Sequence, residues 1–158
     1  MTSEQNSATR PTDMNEKIIS IEELLQEFDF LCDWEERCDF LIDLGFELPP
    51  MPDTDKTEAN RVHGCQSMVW LTTDLKEADQ RKVMQITADS DALIVKGLIA
   101  VLLAIYQDKT PEEVLKIDVK DYFSQLQLDK YLSTQRKNGL MGMVERVRLK
   151  ALELSEQN

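Results

Sequence analysis

Nine consecutive apolar residues, Leu98 to Tyr106, constrain this chain more than any other feature. Ile94, Val95 and Gly97 extend the stretch backward, with Lys96 its one charged interruption. A helix that is apolar all round offers water no face, so other elements must enclose it. Spanning a bilayer takes roughly 20 residues, which this run lacks, and the segment reads as buried core. The expected helix is capped by Asp89, runs to about Tyr106 and lies across a sheet, with Gly97 allowing a close backbone approach. A chain of 158 residues is long enough to wrap such a helix without disulfides, and an odd count of three cysteines fits a reducing compartment.

The flanking segments supply the wrapping. Ile21, Leu24, Leu25, Phe28 and Leu31 recur at helical spacing behind a Ser20 and Glu23 capping box. Asp33 and Glu36 open a second helix with Trp34, Cys38, Leu41 and Ile42 on its apolar face, and Gly45 is placed to end it. Pro49, Pro50 and Pro52 make 48–58 a loop. Residues 67–73 and 83–88 have strand composition, joined by a polar connection over 74–81, with a short third strand expected near 60–62. Thr110, Pro111 and Glu113 start another helix, Asp118 starts a short one through Phe123, and Asn138 starts the last. That last helix carries a stripe of Leu140, Met143, Val144, Val147, Ala151 and Leu154, while Arg146, Arg148 and Lys150 suit its C-terminal dipole. The expectation is an α+β fold, a single domain over 18–158 after a flexible, polar tail over 1–17.

Acidic residues outnumber basic ones by 30 to 18, and the whole excess of 12 lies in the first 60 residues. Such a surface repels phosphate backbones and excludes nucleic acid as a partner. It suits either a protein with a basic patch or simple solvation. The first 17 residues combine neither a basic start nor an apolar stretch, so they do not read as an export signal, and the expected location is the cytoplasm, with no membrane partner.

The three cysteines differ in setting. Cys38 shares a helical face with Trp34 and Leu41 and reads as packing. Cys32 lies between two helices, partly buried. Cys65, in His63-Gly64-Cys65-Gln66-Ser67, sits on an irregular loop before an apolar strand, where Gly64 permits a left-handed turn. It is either a presented, reactive thiol or a small hydrophobe at a strand start. His63 suggests a thiol hydrolase dyad with Cys65, although no orienting Asn or Asp is identifiable. The cysteines and His63 could also be grouped as a metal or cluster scaffold, but no paired CxxC supports it. Gln66 and Ser67 offer hydrogen bonds to the loop or stand as strand-edge polar residues. No phosphate-binding glycine loop, HExxH or dinucleotide fingerprint is present.

Several blocks together resemble the SufE-like family of sulfur acceptors for cysteine desulfurases. They are Asp33-Trp34-Glu35-Glu36-Arg37, Leu44-Gly45, Leu48-Pro49, Asn60-Arg61-Val62-His63-Gly64-Cys65-Gln66-Ser67 with Val69-Trp70, Asp89-Ser90-Asp91-Ala92, Ile94-Val95-Lys96-Gly97-Leu98, Thr110-Pro111 and Arg136-Lys137-Asn138-Gly139-Leu140. The resemblance implies a three-stranded antiparallel sheet packed by helices, similar also to IscU-type scaffolds. It implies that Cys65 takes sulfane sulfur from the persulfide of a pyridoxal-phosphate desulfurase of the SufS or CsdA type and passes it to an iron-sulfur scaffold. The cofactor would belong to that partner; this chain would hold no cofactor and no metal, and would be an accessory protein instead of an enzyme. Asp91 and Arg136 become charged positions linked to the cysteine loop or to docking, with His63 in the same group. Their alternatives are a residue favoured by the helix dipole and a surface ion-pair member. Met68, Trp70 and Leu71 are the expected walls of a niche around the sulfur. Thr134 and Cys38 depart from the pattern, replacing a proline and an aromatic residue.

Overall fold

The computed structural model describes residues 18–157. The tail expected over 1–17 lies outside the described residues. At the centre is the apolar helix, α3 (Leu93–Tyr106), buried at every position from Gly97 to Tyr106. Helices α1 (Ile21–Phe30) and α2 (Trp34–Phe46) rest on it, and a hairpin of β1 (Val69–Ala78) and β2 (Arg81–Ser90) covers another side. The short helices α4 (Pro111–Lys116), α5 (Val119–Gln125) and α6 (Leu128–Tyr131) then lead into the long α7 (Thr134–Gln157). One continuous core unites them.

Side-chain caps fix several helix starts. Ser20 and Glu23 close the reciprocal box of α1, Thr110 and Glu113 that of α4 with Pro111 in its first turn, while Asp33 and Asp118 accept from the amides of Glu36 and Asp121. Each satisfies a helix amide that would otherwise lack a partner.

The start of α3 differs from expectation. Asp89 is a strand residue opposite Trp70, and the helix begins after Ala92 without a side-chain cap. The hairpin register holds Asp89 in the sheet, where its carboxylate meets Lys56 at 3.1 Å and Lys96 at 3.6 Å. Gly45 does not terminate α2; it is buried inside that helix, where a β-carbon would lie 2.8 Å from Cβ of Lys96. Helix α7 begins four residues before Asn138, at Thr134, because Ser133 Oγ accepts from the Arg136 amide at 3.2 Å. Arg136 therefore lies in the helix and not ahead of it.

The hairpin is longer than its apolar composition suggests. Pairing runs from Val69 opposite Ser90 to Ala78 opposite Arg81, closed by Asp79 and Gln80 with φ of 53° and 67°. Two left-handed residues match the twist of a tight hairpin, so the polar stretch 74–81 is mostly strand. Among the described residues the sheet has two strands, not three. The expected strand near 60–62 amounts to one bridge between Arg61 and Trp70, because Glu58–Asn60 is a 3₁₀ turn and the chain swings away after Val62. Along the other edge, the buried Gln107 side chain takes the place of a strand: its Oε1 accepts from Ile86 N at 2.7 Å and its Nε2 donates to Ile86 O at 2.9 Å. The edge amides thereby find partners away from water.

Candidate functional site

The loop bearing Cys65 is held at both ends. On the entering side, Arg146 of α7 donates to the carbonyls of Arg61 and Ala59, and Val62 N donates to Val69 O at 2.8 Å. On the leaving side, Met68 N donates to Asp91 Oδ1 at 3.1 Å and Asp91 N returns a bond to Met68 O at 3.2 Å. Between these anchors, no backbone group of His63 to Ser67 takes part in the hydrogen bonds among the described residues. Gly64 turns the chain at φ 98°, and a β-carbon there would touch nothing within 4 Å. Its backbone conformation, not lack of space, calls for glycine.

That turn lays the Cys65 side chain on α7. A β-carbon on Gly139 would fall 2.5 Å from Sγ, so the sulfur occupies the space this glycine leaves empty. Around it is a cavity of about 170 Å³ with buried Val95, Leu98, Leu140 and Met143 inside and Gln66, Ser67, Ser133, Gln135 and Arg136 on the more exposed side. Burial pushes the Cys65 thiol above the ordinary range. The resting group at neutral pH is therefore a protonated thiol in a half-buried niche.

The other candidates fall as follows. Asp91 precedes α3 and pins the exit of the cysteine loop. Arg136 is exposed and, among the described residues, is the only charged side chain lining the niche. His63 points elsewhere: its Nε2 lies 2.9 Å from Glu58 Oε2 and its side chain is 64% exposed. Cys65 consequently has no imidazole partner of the kind a thiol hydrolase needs. The side chains of Gln66 and Ser67 line the cavity without hydrogen-bonding the loop among the described residues; Arg146 and Asp91 do the holding instead. Cys32 is exposed and not partly buried. Cys38 is half-buried; burial and then Asp39 raise its thiol pKa, while Arg136 and Trp34 act the other way. No three potential metal ligands cluster among the described residues.

The expected niche walls are also different. Leu71 lies in the core, and half-buried Trp70 faces the Lys56 ammonium at 5.5 Å; neither they nor Met68 line the cavity. The walls come from α3 and α7, which proximity in sequence to Cys65 could not reveal. Gly139 belongs to the Arg136-Lys137-Asn138-Gly139-Leu140 block, but its role emerges only from the thiol it faces.

A protein-family model described as SufE, Fe-S metabolism associated domain, matches residues 22–151, nearly the full described chain. The chain belongs to the SufE family. Two relatives in this family are uncharacterized SufE-like proteins of Rhizobium meliloti (strain 1021) and Rhizobium etli. The first is 39% identical over 132 residues, covering 84% of this chain and 94% of its own length. The second is 41% identical over 132 residues, covering 84% and 89%. The solution structure of a hypothetical protein from Thermus thermophilus has the same fold, with a TM-score of 0.67, 21% identity, and coverage of 84% of this chain and 93% of that one. Within the SufE fold found here, no helix among the described residues is long and apolar enough to cross a membrane.

Proposed function

We propose that this SufE-family protein accepts sulfane sulfur on Cys65 from the persulfide of a pyridoxal-phosphate cysteine desulfurase and delivers it for iron-sulfur cluster assembly. The observation that carries this reading is the seating of Cys65 Sγ against Gly139 in a small, largely apolar niche. In the transfer, the Cys65 thiol first gives up its proton. Its thiolate attacks the outer sulfur of the donor persulfide, the new S–S bond forms as the old one breaks, and the donor cysteine leaves as thiolate. The outer sulfur keeps its proton, so the products are a Cys65 persulfide and the donor thiolate, with no external oxidant. Delivery repeats the exchange with Cys65 as the leaving group.

The niche supports the carrying step, since enclosure shields a persulfide from competing thiols. The raised thiol pKa supports an acceptor that stays unreactive alone and attacks once the loop leaves the niche. Asp91 and Arg146, which hold the loop ends, serve as positioning residues; Arg136 at the rim serves docking or the developing anion. The protein acts in the cytoplasm as an accessory to a SufS- or CsdA-type enzyme, with an iron-sulfur scaffold downstream.

Intact-mass measurement after incubation with a desulfurase and cysteine tests the reading. Wild-type protein should gain a reductant-removable sulfur that maps to Cys65, and Cys65→Ser should gain none. Labelling of Cys32 or Cys38 in its place, or undiminished sulfur relay by Cys65→Ser, would overturn it.

A further inference from the structure

We propose that the groove between α1 and α2 is a docking site for a cationic amphipathic helix of a partner protein, separate from the thiol niche. The groove, about 470 Å³, has Ile19, Phe40 and Leu44 as its apolar lining. Glu23 and Glu27 line it from α1, Asp43 from α2 and Glu47 from the residue that caps α2. None of its lining residues belongs to the Cys65 cavity.

The charge pattern is not explained by the stability of the helices themselves. Helix α1 places Glu23 and Glu27 one turn apart, a like-charge spacing that weakens an isolated helix, and Glu47 at the C-cap of α2 adds a negative charge where the helix dipole is already negative. Glu23 also serves the Ser20 capping box, but none of the four forms an ion pair among the described residues. Arg37, the sole base on α1 or α2, is turned to the Phe28 carbonyl and to Gln127 Oε1. That contact joins the C-terminal end of α1 to α2, while both helices otherwise lean on α3 and leave the groove open between them. Phe46, adjacent in sequence to Glu47, is 64% exposed.

These features select the occupant. The apolar lining disfavours a hydrated metal ion, and carboxylates on both sides oppose an acidic or neutral segment. A helix with an aliphatic stripe flanked on both sides by Lys or Arg meets both demands. Along α1 the lining carboxylates Glu23 and Glu27 are separated by a rise of about 6 Å, which matches one turn of such a helix.

The probe is a fluorescent helical peptide with Leu along one face and Lys on both flanks, titrated against the full chain by anisotropy. Replacing the rim by Glu23→Gln, Glu27→Gln, Asp43→Asn and Glu47→Gln should weaken binding by about tenfold or more. Removing four exposed carboxylates elsewhere (Asp74→Asn, Glu77→Gln, Glu112→Gln, Glu145→Gln) should change it by less than about twofold. Amide shifts on binding should centre on α1 and α2, and Cys65→Ser should bind equally, so the result is independent of the sulfur-acceptor reading. Equal losses in the two charge variants, equal binding of a peptide without Leu, or shifts centred on the Cys65 loop would overturn the proposal. Self-association of the chain abolished by the rim substitutions would assign the groove to a second copy and overturn it as well.

Discussion

At Gly139 a missing β-carbon decides where the Cys65 sulfur rests. Glycine inside a helix costs about 1 kcal/mol relative to alanine, so α7 gives up stability at the position facing Sγ. Adding that carbon would bring it to 2.5 Å from the sulfur, and something must move. The loop over 63–67, with no backbone hydrogen bonds of its own among the described residues, yields more easily than the helix. Gly139→Ala should therefore keep or raise the melting temperature while displacing the thiol toward water. The sign for reactivity follows from the cause of the pKa shift: burial disfavours the thiolate, which forms only as pH rises through the elevated value. With burial relieved, the rise in alkylation rate should move to lower pH. Iodoacetamide rates measured against pH in a Cys32→Ser, Cys38→Ser background would show it, and a profile unchanged by Gly139→Ala would dissociate the sulfur from this seat.

The same substitution has the opposite outcome where two helices cross. Gly97 of α3 faces the α2 backbone, and a β-carbon there would stand 2.7 Å from the Leu41 carbonyl oxygen; Gly45 reciprocates against Gly97 N at 2.9 Å. Backbone on both sides cannot swing aside as a loop does. Despite the gain in helix propensity, Gly97→Ala should destabilise the fold by about 1–3 kcal/mol, visible as a lower urea midpoint with little change in slope. Gly45 looks like a helix stop in the sequence because a close approach and a C-cap call for the same residue. Elements were legible where a side chain finishes its own backbone, as Ser20, Asp33, Thr110 and Asp118 do. The sequence misleads where a distant element decides. The pairing of Asp89 with Trp70 delays α3, the Asp79-Gln80 turn carries no glycine to announce itself, and Gln107 substitutes for an edge strand. Cys65 stood out because an irregular backbone surrounds it, whereas Val95, Leu98 and Met143 reach it only through the packing of α3 against α7.

Across the whole molecule, charge is divided along the chain: residues 1–60 hold the full excess of 12 acids, and the remainder is balanced. Within the described part, α1 and α2 carry eight acids against one base, the larger share of that excess, and no ion pair among the described residues neutralises their carboxylates. A field of one sign extending from one side of a protein orients a partner of opposite sign before contact and raises the encounter rate more than the lifetime of the complex. Screening then supplies the test, because the reach of exposed charges shrinks from about 10 Å at 0.1 M salt to about 3 Å at 1 M. Association with a desulfurase whose docking surface is basic should slow several-fold between about 0.05 and 0.5 M salt, while dissociation changes far less. Stopped-flow measurement of both rates distinguishes this from a merely solvating role for the acids, under which the association rate would not respond. The rim-neutralised variant separates local from diffuse steering: if the groove dominates, its four substitutions should remove most of the salt dependence, and if the whole face acts, they should remove only their share of the excess charge.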